Sequence, residues 1–164
     1  MNERVGMGYD VHAIEAGRPL VLGGVRLESD WGLLGHSDAD VIAHAVGDAL
    51  LGAAALGDLG TWFPPSDPKW KDVSSLVLLR DIAARLEGRG FRIGNVDATL
   101  LAEAPKIAPH RDAMRSALAE ALGIPADQVS VKATTGEGLG FVGRREGLAA
   151  LAIARILKVS PTSP

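Results

Sequence analysis

The sequence predicts an α/β sandwich (α+β), mostly a single sheet with helices on one face. Three observations carry that prediction. Apolar runs with strand-like alternation recur along the chain, three segments of helical periodicity lie between them, and no internal repeat or linker divides the 164 residues. The other face of such a sheet needs a cover, which oligomerisation would supply.

Arg4 to Val11 reads as a strand leading into Asp10 and His12. Pro19 to Leu27 holds two apolar runs around Gly23-Gly24. That is a hairpin signal, because glycine tolerates the positive φ of a tight turn. Trp31 to His36 reads as a glycine-containing loop. Ser37-Asp38 then opens a helical pattern running to about Leu56, with Ser37 as its cap, Asp38 and Asp40 at the positive end of its dipole, and Gly57 as its stop. Asp58 to Asp72 reads as a loop, since the prolines of Pro64-Pro65-Ser66-Asp67-Pro68 cannot continue a helix.

A second helix is expected from Ser74 to Glu87 and a strand from Phe91 to Leu101. Pro109 to Leu122 reads as a third helix, with Pro near its start and Gly123 just past its end. Gln128 to Thr134 alternates as a strand, and Leu139 to Gly147 is a glycine-rich connection. Leu148 to Leu157 has two readings: its alanines favour helix, whereas an almost wholly apolar run suits a strand buried on both faces.

Composition narrows the function. The chain has no Cys, so any metal must be held by His, Asp or Glu. The net charge is −3 with no basic block, which argues against nucleic acid as a partner. Neither a signal region nor a membrane span is visible. The expectation is a cytoplasmic protein with one catalytic domain over residues 1–159 and a disordered tail over 160–164.

Four constellations carry chemistry. Asp10 and His12 stand two apart, so in a strand both project to one side, within reach of one cation. Asp40, His44 and Asp48 are spaced to share one helix face in an otherwise apolar stretch, where polar groups need partners. Two His and one Asp with an open fourth position make a catalytic zinc set, and Asp48 is the carboxylate expected to orient the His44 ring. Lys132 to Phe141 runs from a strand into Thr134, Thr135, Gly136 and Glu137, a turn suited to a phosphate and a metal. Ala102 to Pro109 carries two prolines that stiffen a loop between strand and helix.

Together, Gly-Tyr-Asp-Val-His, Leu-Leu-Gly-His-Ser-Asp-Ala-Asp-Val, Ala-Pro-Lys and Lys-Ala-Thr-Thr-x-Glu-x-Leu-Gly-Phe resemble the 2-C-methyl-D-erythritol 2,4-cyclodiphosphate synthase family from about Val5 to Lys158. The resemblance implies a lyase of non-mevalonate isoprenoid biosynthesis. Its substrate would be 4-diphosphocytidyl-2-C-methyl-D-erythritol 2-phosphate, cyclised with release of CMP. It also implies a homotrimer with sheets packed around a threefold axis and a site at each subunit boundary. Leu148 to Leu157 would then be a strand.

Residue by residue, the resemblance implies that Asp10, His12 and His44 hold one zinc ion per subunit. His36 and Ser37 would hold the reacting phosphate, and His36 and Thr135 would stabilise charge at phosphorus. Asp58, Gly60, Phe63, Pro64, Pro65, Ser66 and Asp67 would receive the methylerythritol part. Ala102, Ala104, Pro105, Lys106, Ile107 and Ala108 would form a cytosine pocket across the interface. Thr134 and Thr135 would bind the diphosphate, with Glu137 on a second ion, Mg²⁺ or Mn²⁺. Phe141, Arg144 and Glu146 would lie near a central channel, a possible seat for an isoprenoid diphosphate. Gly136, Gly138 and Arg145 depart from the family pattern. Rival readings of the same residues are a zinc-dependent phosphoester or nucleotide hydrolase and a non-catalytic trimer that binds isoprenoid diphosphates.

Overall fold

The computed structural model describes residues 3–159, so the tail over 160–164 lies outside the described residues. The strands are β1 Glu3–Ala16, β2 Leu20–Leu22, β3 Val25–Leu27, β4 Trp31–Leu33, β5 Phe91–Leu101, β6 Val129–Thr134 and β7 Gly147–Lys158. The helices are α1 Val41–Ala53, α2 Leu59–Trp62, α3 Ser75–Gly88, α4 Arg111–Leu122 and α5 Gly140–Gly143. Five strands form one mixed sheet in the order β4-β1-β7-β5-β6, and β2 and β3 form a separate hairpin. The β5–β6 pair is parallel, whereas β7 runs antiparallel to both β1 and β5.

The expected hairpin and the strand from Phe91 to Leu101 are present. Other boundaries differ for local reasons. β1 continues to Ala16 because Ile14 to Ala16 pair with Leu33 to Trp31. The segment read as a loop therefore contains β4. Its Gly32 is required there, since a Cβ would come 2.2 Å from the Pro19 carbonyl oxygen. The first helix starts at Val41, not at Ser37. Asp40 is its cap, accepting from the Ile42 and Ala43 amides at 3.1 Å, whereas Ser37 Oγ accepts from the Ala39 amide, ahead of the helix. In the Asp58–Asp72 loop, α2 and a 3-10 turn at Pro68–Trp70 form because Asp58 and Asp67 cap them. The glycine-rich connection contains the single turn α5.

The ambiguous run is a strand, as the resemblance implies. Its alanines act through packing: Ala150, Ala152 and Ala154 bring β7 close beneath the helices and are fully buried. It is not buried on both faces, however, because Leu151 and Ile153 point to the open side. There they join Val5, Met7, Tyr9 and Val11 of β1, forming an apolar stripe in which Met7 is 70% exposed. The covered face carries α1, which packs on β1, β7 and β5, while α3 and α4 pack against one another and against β5 and β6 respectively. No helix among the described residues is long and apolar enough to cross a membrane.

Candidate metal centre and substrate pocket

β1 and α1 build the centre. Alternation along β1 turns Asp10 and His12 toward the covered face. α1 crosses that face closely enough to bring His44 to them. Asp10 Oδ2 lies 2.9 Å from His12 Nε2 and 3.0 Å from His44 Nδ1, and the two ring nitrogens are 3.1 Å apart. A triangle of this size admits one ion at roughly 2 Å from each corner, the usual zinc–nitrogen and zinc–oxygen distance. His12 Nδ1 donates to the Leu34 carbonyl oxygen at 2.8 Å. A carbonyl only accepts, so in the neutral ring the lone pair lies on Nε2, toward the centre. The donor set thus fits a divalent cation, and these three residues form the one such metal-ligating group among the described residues.

Electrostatics agree with that fit. Burial pushes the Asp10 carboxyl up, but the hydrogen bonds that His12 Nε2 and His44 Nδ1 donate when those nitrogens are protonated outweigh it and hold the group well below the usual carboxylate range; a cation would take the place of those protons. Burial opposes charge on His12, yet the Asp10 carboxylate lifts its pKa above the ordinary value. A carboxylate this strongly held as an anion is prepared for a cation.

The triad opens into a pocket of about 420 Å³. His36, Ser37, Asp48, Asp58, Gly60, Phe63 and Pro65 line it, as do Leu59, Trp70 and Leu78. His36 Nε2 is 3.3 Å from the Asp67 carbonyl oxygen, tying the ring to the proline-rich segment. Phe63 packs edge-on against Trp70 with ring centroids 4.9 Å apart, closing the apolar wall. Pro64, Ser66 and Asp67 belong to the same segment but do not line the pocket.

Two expectations about α1 are corrected. Asp40 does not share a functional face with His44. It is wholly buried, and its carboxylate accepts from the Gly23 and Gly24 amides at 2.9 and 2.6 Å as well as capping the helix. Burial, with the nearby Asp38 charge, raises its pKa to about 6 against the pull of those amides. Asp48 lines the pocket but does not orient the His44 ring. Its Oδ1 accepts from the Leu59 amide at 2.8 Å, because α2 folds back over this turn of α1. His44 Nε2 instead faces two hydroxyls, Ser75 Oγ at 2.9 Å and Ser37 Oγ at 3.1 Å.

The remaining candidates gather elsewhere on the chain. The Ala102 amide donates to the Thr134 carbonyl oxygen at 3.0 Å, which joins the loop from Ala102 to Ala108 to the turn from Thr134 to Glu137. Ala104–Pro105 is a cis peptide. Ala102 and Ile107 are buried. Thr135, Glu137 and Lys106 are exposed. Thr135 Oγ1 donates to Glu137 Oε1 at 3.4 Å and accepts from the Glu137 amide at 3.2 Å. Near them, Arg144 donates twice to Glu146, at 2.9 and 3.1 Å.

Sequence reasoning missed Glu103, Ser75 and the role of Asp38. Glu103 Oε1 accepts from the Gly136 and Gly138 amides at 2.9 and 3.3 Å, bracing the turn that the spacing had marked for phosphate. Nothing in the local sequence marks Ser75 or Glu103, whose partners lie more than thirty positions away.

The YgbB family model matches residues 3–157. A bifunctional enzyme IspD/IspF of Anaeromyxobacter sp. (strain Fw109-5) is 64% identical over 155 residues, covering 94% of this chain and 40% of that protein. The chain therefore spans well under half the length of this relative. The 2-C-methyl-D-erythritol 2,4-cyclodiphosphate synthase of Thermosynechococcus vestitus is 58% identical, covering 94% of this chain and 96% of that protein. A solved IspF of Plasmodium falciparum in complex with CDP superposes with a TM-score of 0.85 at 33% identity, over 97% of this chain and 98% of that one.

Proposed function

The chain belongs to the YgbB family, and from that premise we propose that it is a 2-C-methyl-D-erythritol 2,4-cyclodiphosphate synthase. It converts 4-diphosphocytidyl-2-C-methyl-D-erythritol 2-phosphate to the cyclic diphosphate and CMP, as one cytoplasmic catalytic domain over residues 1–159. The observation that carries this reading is the convergence of Asp10, His12 and His44 in one pocket that His36 and Ser37 also line. The complex of a relative with CDP supports a cytidyl ligand.

An oxygen of the 2-phosphate attacks the β-phosphorus of the same molecule. The bond from that phosphorus to the oxygen bridging to the α-phosphorus breaks, and CMP leaves with the electron pair. The nucleophile is already in the substrate, so positioning is the main task. His36 and Ser37 hold the reacting phosphate, and Asp58, Gly60 and Phe63 to Asp67 receive the methylerythritol part. The Ala102–Ala108 loop takes the cytosine and Thr134 the diphosphate, while Thr135 and His36 stabilise charge as it develops at phosphorus. Zinc on Asp10, His12 and His44, with Mg²⁺ or Mn²⁺ at Glu137, would supply Lewis-acid polarisation of phosphate oxygens.

The active form is a homotrimer. Two features support this: the apolar stripe of β1 and β7 needs a cover, and the cytosine loop and the metal centre form separate groups on one chain. Packing the stripes about a threefold axis covers them and lets one subunit's loop face its neighbour's metal. Phe141, Arg144 and Glu146 then flank a central channel suited to an isoprenoid diphosphate.

Phosphorus NMR of the purified protein with the cytidyl substrate and Mg²⁺ tests the reaction. CMP with a cyclic diphosphate is expected. CMP with an uncyclised phosphate product would identify a hydrolase, and absence of turnover a binding protein.

A further inference from the structure

Two polar groups beside the metal centre have no part in the reading above: the hydroxyl of Ser75, which is 1% exposed, and the half-buried carboxylate of Asp38 behind it. We infer that Asp38 and Ser75 form a positioning relay that fixes the proton of His44 on Nε2, keeps its Nδ1 lone pair on the metal, and leaves the Ser37 hydroxyl proton free for the substrate.

The argument runs outward from Asp38. Its carboxylate meets three donors: the Ser75 amide on Oδ2 at 2.9 Å, and on Oδ1 the Asp40 amide at 3.2 Å and the Ser75 hydroxyl at 2.5 Å. An ionised carboxylate only accepts. Ser75 has a single hydroxyl proton, and its charge-assisted bond to Asp38 is roughly twice as strong as one to a neutral ring nitrogen. That proton is therefore committed to Asp38. The helix does not compete for it, because α3 is capped by the preceding Ser74, whose Oγ accepts from the Leu76 amide.

At His44, Ser75 Oγ is then left as an acceptor, 2.9 Å from Nε2. Nε2 carries the hydrogen, and Nδ1, facing Asp10 Oδ2 and His12 Nε2, carries the lone pair. A ligand imidazole held through its far nitrogen is fixed in both tautomer and orientation. Ser37 Oγ lies farther from Nε2, at 3.1 Å, and also accepts from the Ala39 amide. With both of these partners donating to it, Ser37 keeps its own proton. Ser37 lines the pocket and Ser75 does not, so the two hydroxyls divide the work.

This inference rests on the metal reading of the triad, and one experiment separates the two. Zinc dissociation constants are measured by competition with a chromophoric chelator for the full chain, Ser75→Ala, Asp38→Ala, the double variant, Ser75→Thr and Ser37→Ala. Visible absorption of the Co²⁺-loaded forms is recorded alongside. Loss of about 10–100-fold in affinity is expected for Ser75→Ala and for Asp38→Ala. The double variant should lose no more than either single one, since both act through one chain of bonds. Ser75→Thr should restore affinity, Ser37→Ala should retain it, and the Co²⁺ spectrum should change only in variants that break the relay. Unchanged affinity in Ser75→Ala overturns the relay, as do losses that multiply in the double variant or a loss confined to Ser37→Ala. If Ser75→Ala does not fold, Asp38→Asn decides, because in either amide orientation it removes the charge that commits the Ser75 hydroxyl proton. The same loss supports the relay and unchanged affinity overturns it. Failure of the unsubstituted chain to bind zinc would instead overturn the metal reading itself.

Discussion

Gly8 of β1 lies directly beneath the Ala45 carbonyl of α1: a Cβ at Gly8 would come 2.0 Å from that oxygen and 2.7 Å from the Ala49 nitrogen. Gly6 makes the same approach one step along, 2.1 Å from the Ala49 oxygen. These atoms are backbone and cannot rotate aside. Since β1 carries Asp10 and His12 and α1 carries His44, the approach of helix to strand sets the size of the triad. Gly8→Ala is expected to destabilise the chain by roughly 1–3 kcal/mol through overpacking. It should also weaken metal binding by widening the triangle. Urea unfolding and chelator competition on the same sample check both effects.

Histidines separate cleanly by position. His12→Ala removes a corner of the triad and should abolish stoichiometric zinc while the far-ultraviolet circular dichroism stays unchanged. His110 is exposed at the 3-10 turn before α4 and lies apart from the triad. His110→Ala should keep both zinc and turnover. Elemental analysis of the two variants is the measurement, and undiminished zinc in His12→Ala would refute the assignment.

Asp40 joins the β2–β3 turn to α1 with one wholly buried carboxylate. Asp40→Ala loses a helix cap and strands two hairpin amides. The expected cost is roughly 2–4 kcal/mol. Chemical denaturation would register it, and hydrogen exchange at Gly23 and Gly24 should accelerate. A loss limited to the cap alone would mean that the hairpin finds other partners.

The pH dependence of stability carries a signature of Asp48. Burial raises its pKa above the ordinary 3.8, assisted by the Asp58 and Asp10 charges and opposed by the Leu59 amide. A raised carboxyl contributes most below its unfolded pKa, and that contribution is lost as pH rises through the folded value. At neutral pH the ionised group is therefore a liability. Asp48→Asn keeps an oxygen for the Leu59 amide and sheds the charge. The metal-free variant should be more stable than the parent at pH 7, with the gap closing as pH falls toward 3.8. Unfolding curves that differ equally at both pH values would contradict this.

If each site is split between subunits, two inactive chains can repair one another. A His44→Ala chain lacks the metal centre, and a chain with a disrupted Pro105-Lys106 turn lacks the cytosine loop. Co-expressed trimers contain some boundaries that join an intact centre to an intact loop, so activity above both parents is expected. Mass measurement should confirm trimers in the same samples. Verified mixed trimers that stay inactive would place each site within one chain.

Much of this architecture is legible in the sequence, for identifiable reasons. The hairpin shows through Gly23-Gly24 and the α4 stop through Gly123, because positive φ restricts the choice of residue. Asp10 and His12 show as a pair facing one way through strand alternation, and His44 as a polar group in an apolar helix; their union in one metal set is what the family resemblance implies. What stayed hidden depends on contacts distant in sequence. β4 looks like a loop until β1 supplies its partner. Asp40 looks like a site residue until the hairpin amides reach it. Asp48 looks like the partner of His44 until α2 folds back to claim it. Leu148 to Leu157 looks helical by alanine content, and neighbouring strands and helices decide otherwise.

β7 is the middle strand of the five, yet it follows every other described strand along the chain. A ribosome adds about 5–20 residues per second, so β7 emerges several seconds after His44. During that interval β1 and β5 have no common neighbour, and the floor on which the triad stands has not been laid. A nascent chain halted before Gly147 holds Asp10, His12 and His44 without the sheet that aligns them. Alignment of Asp10, His12 and His44 thereby waits until translation has passed β7.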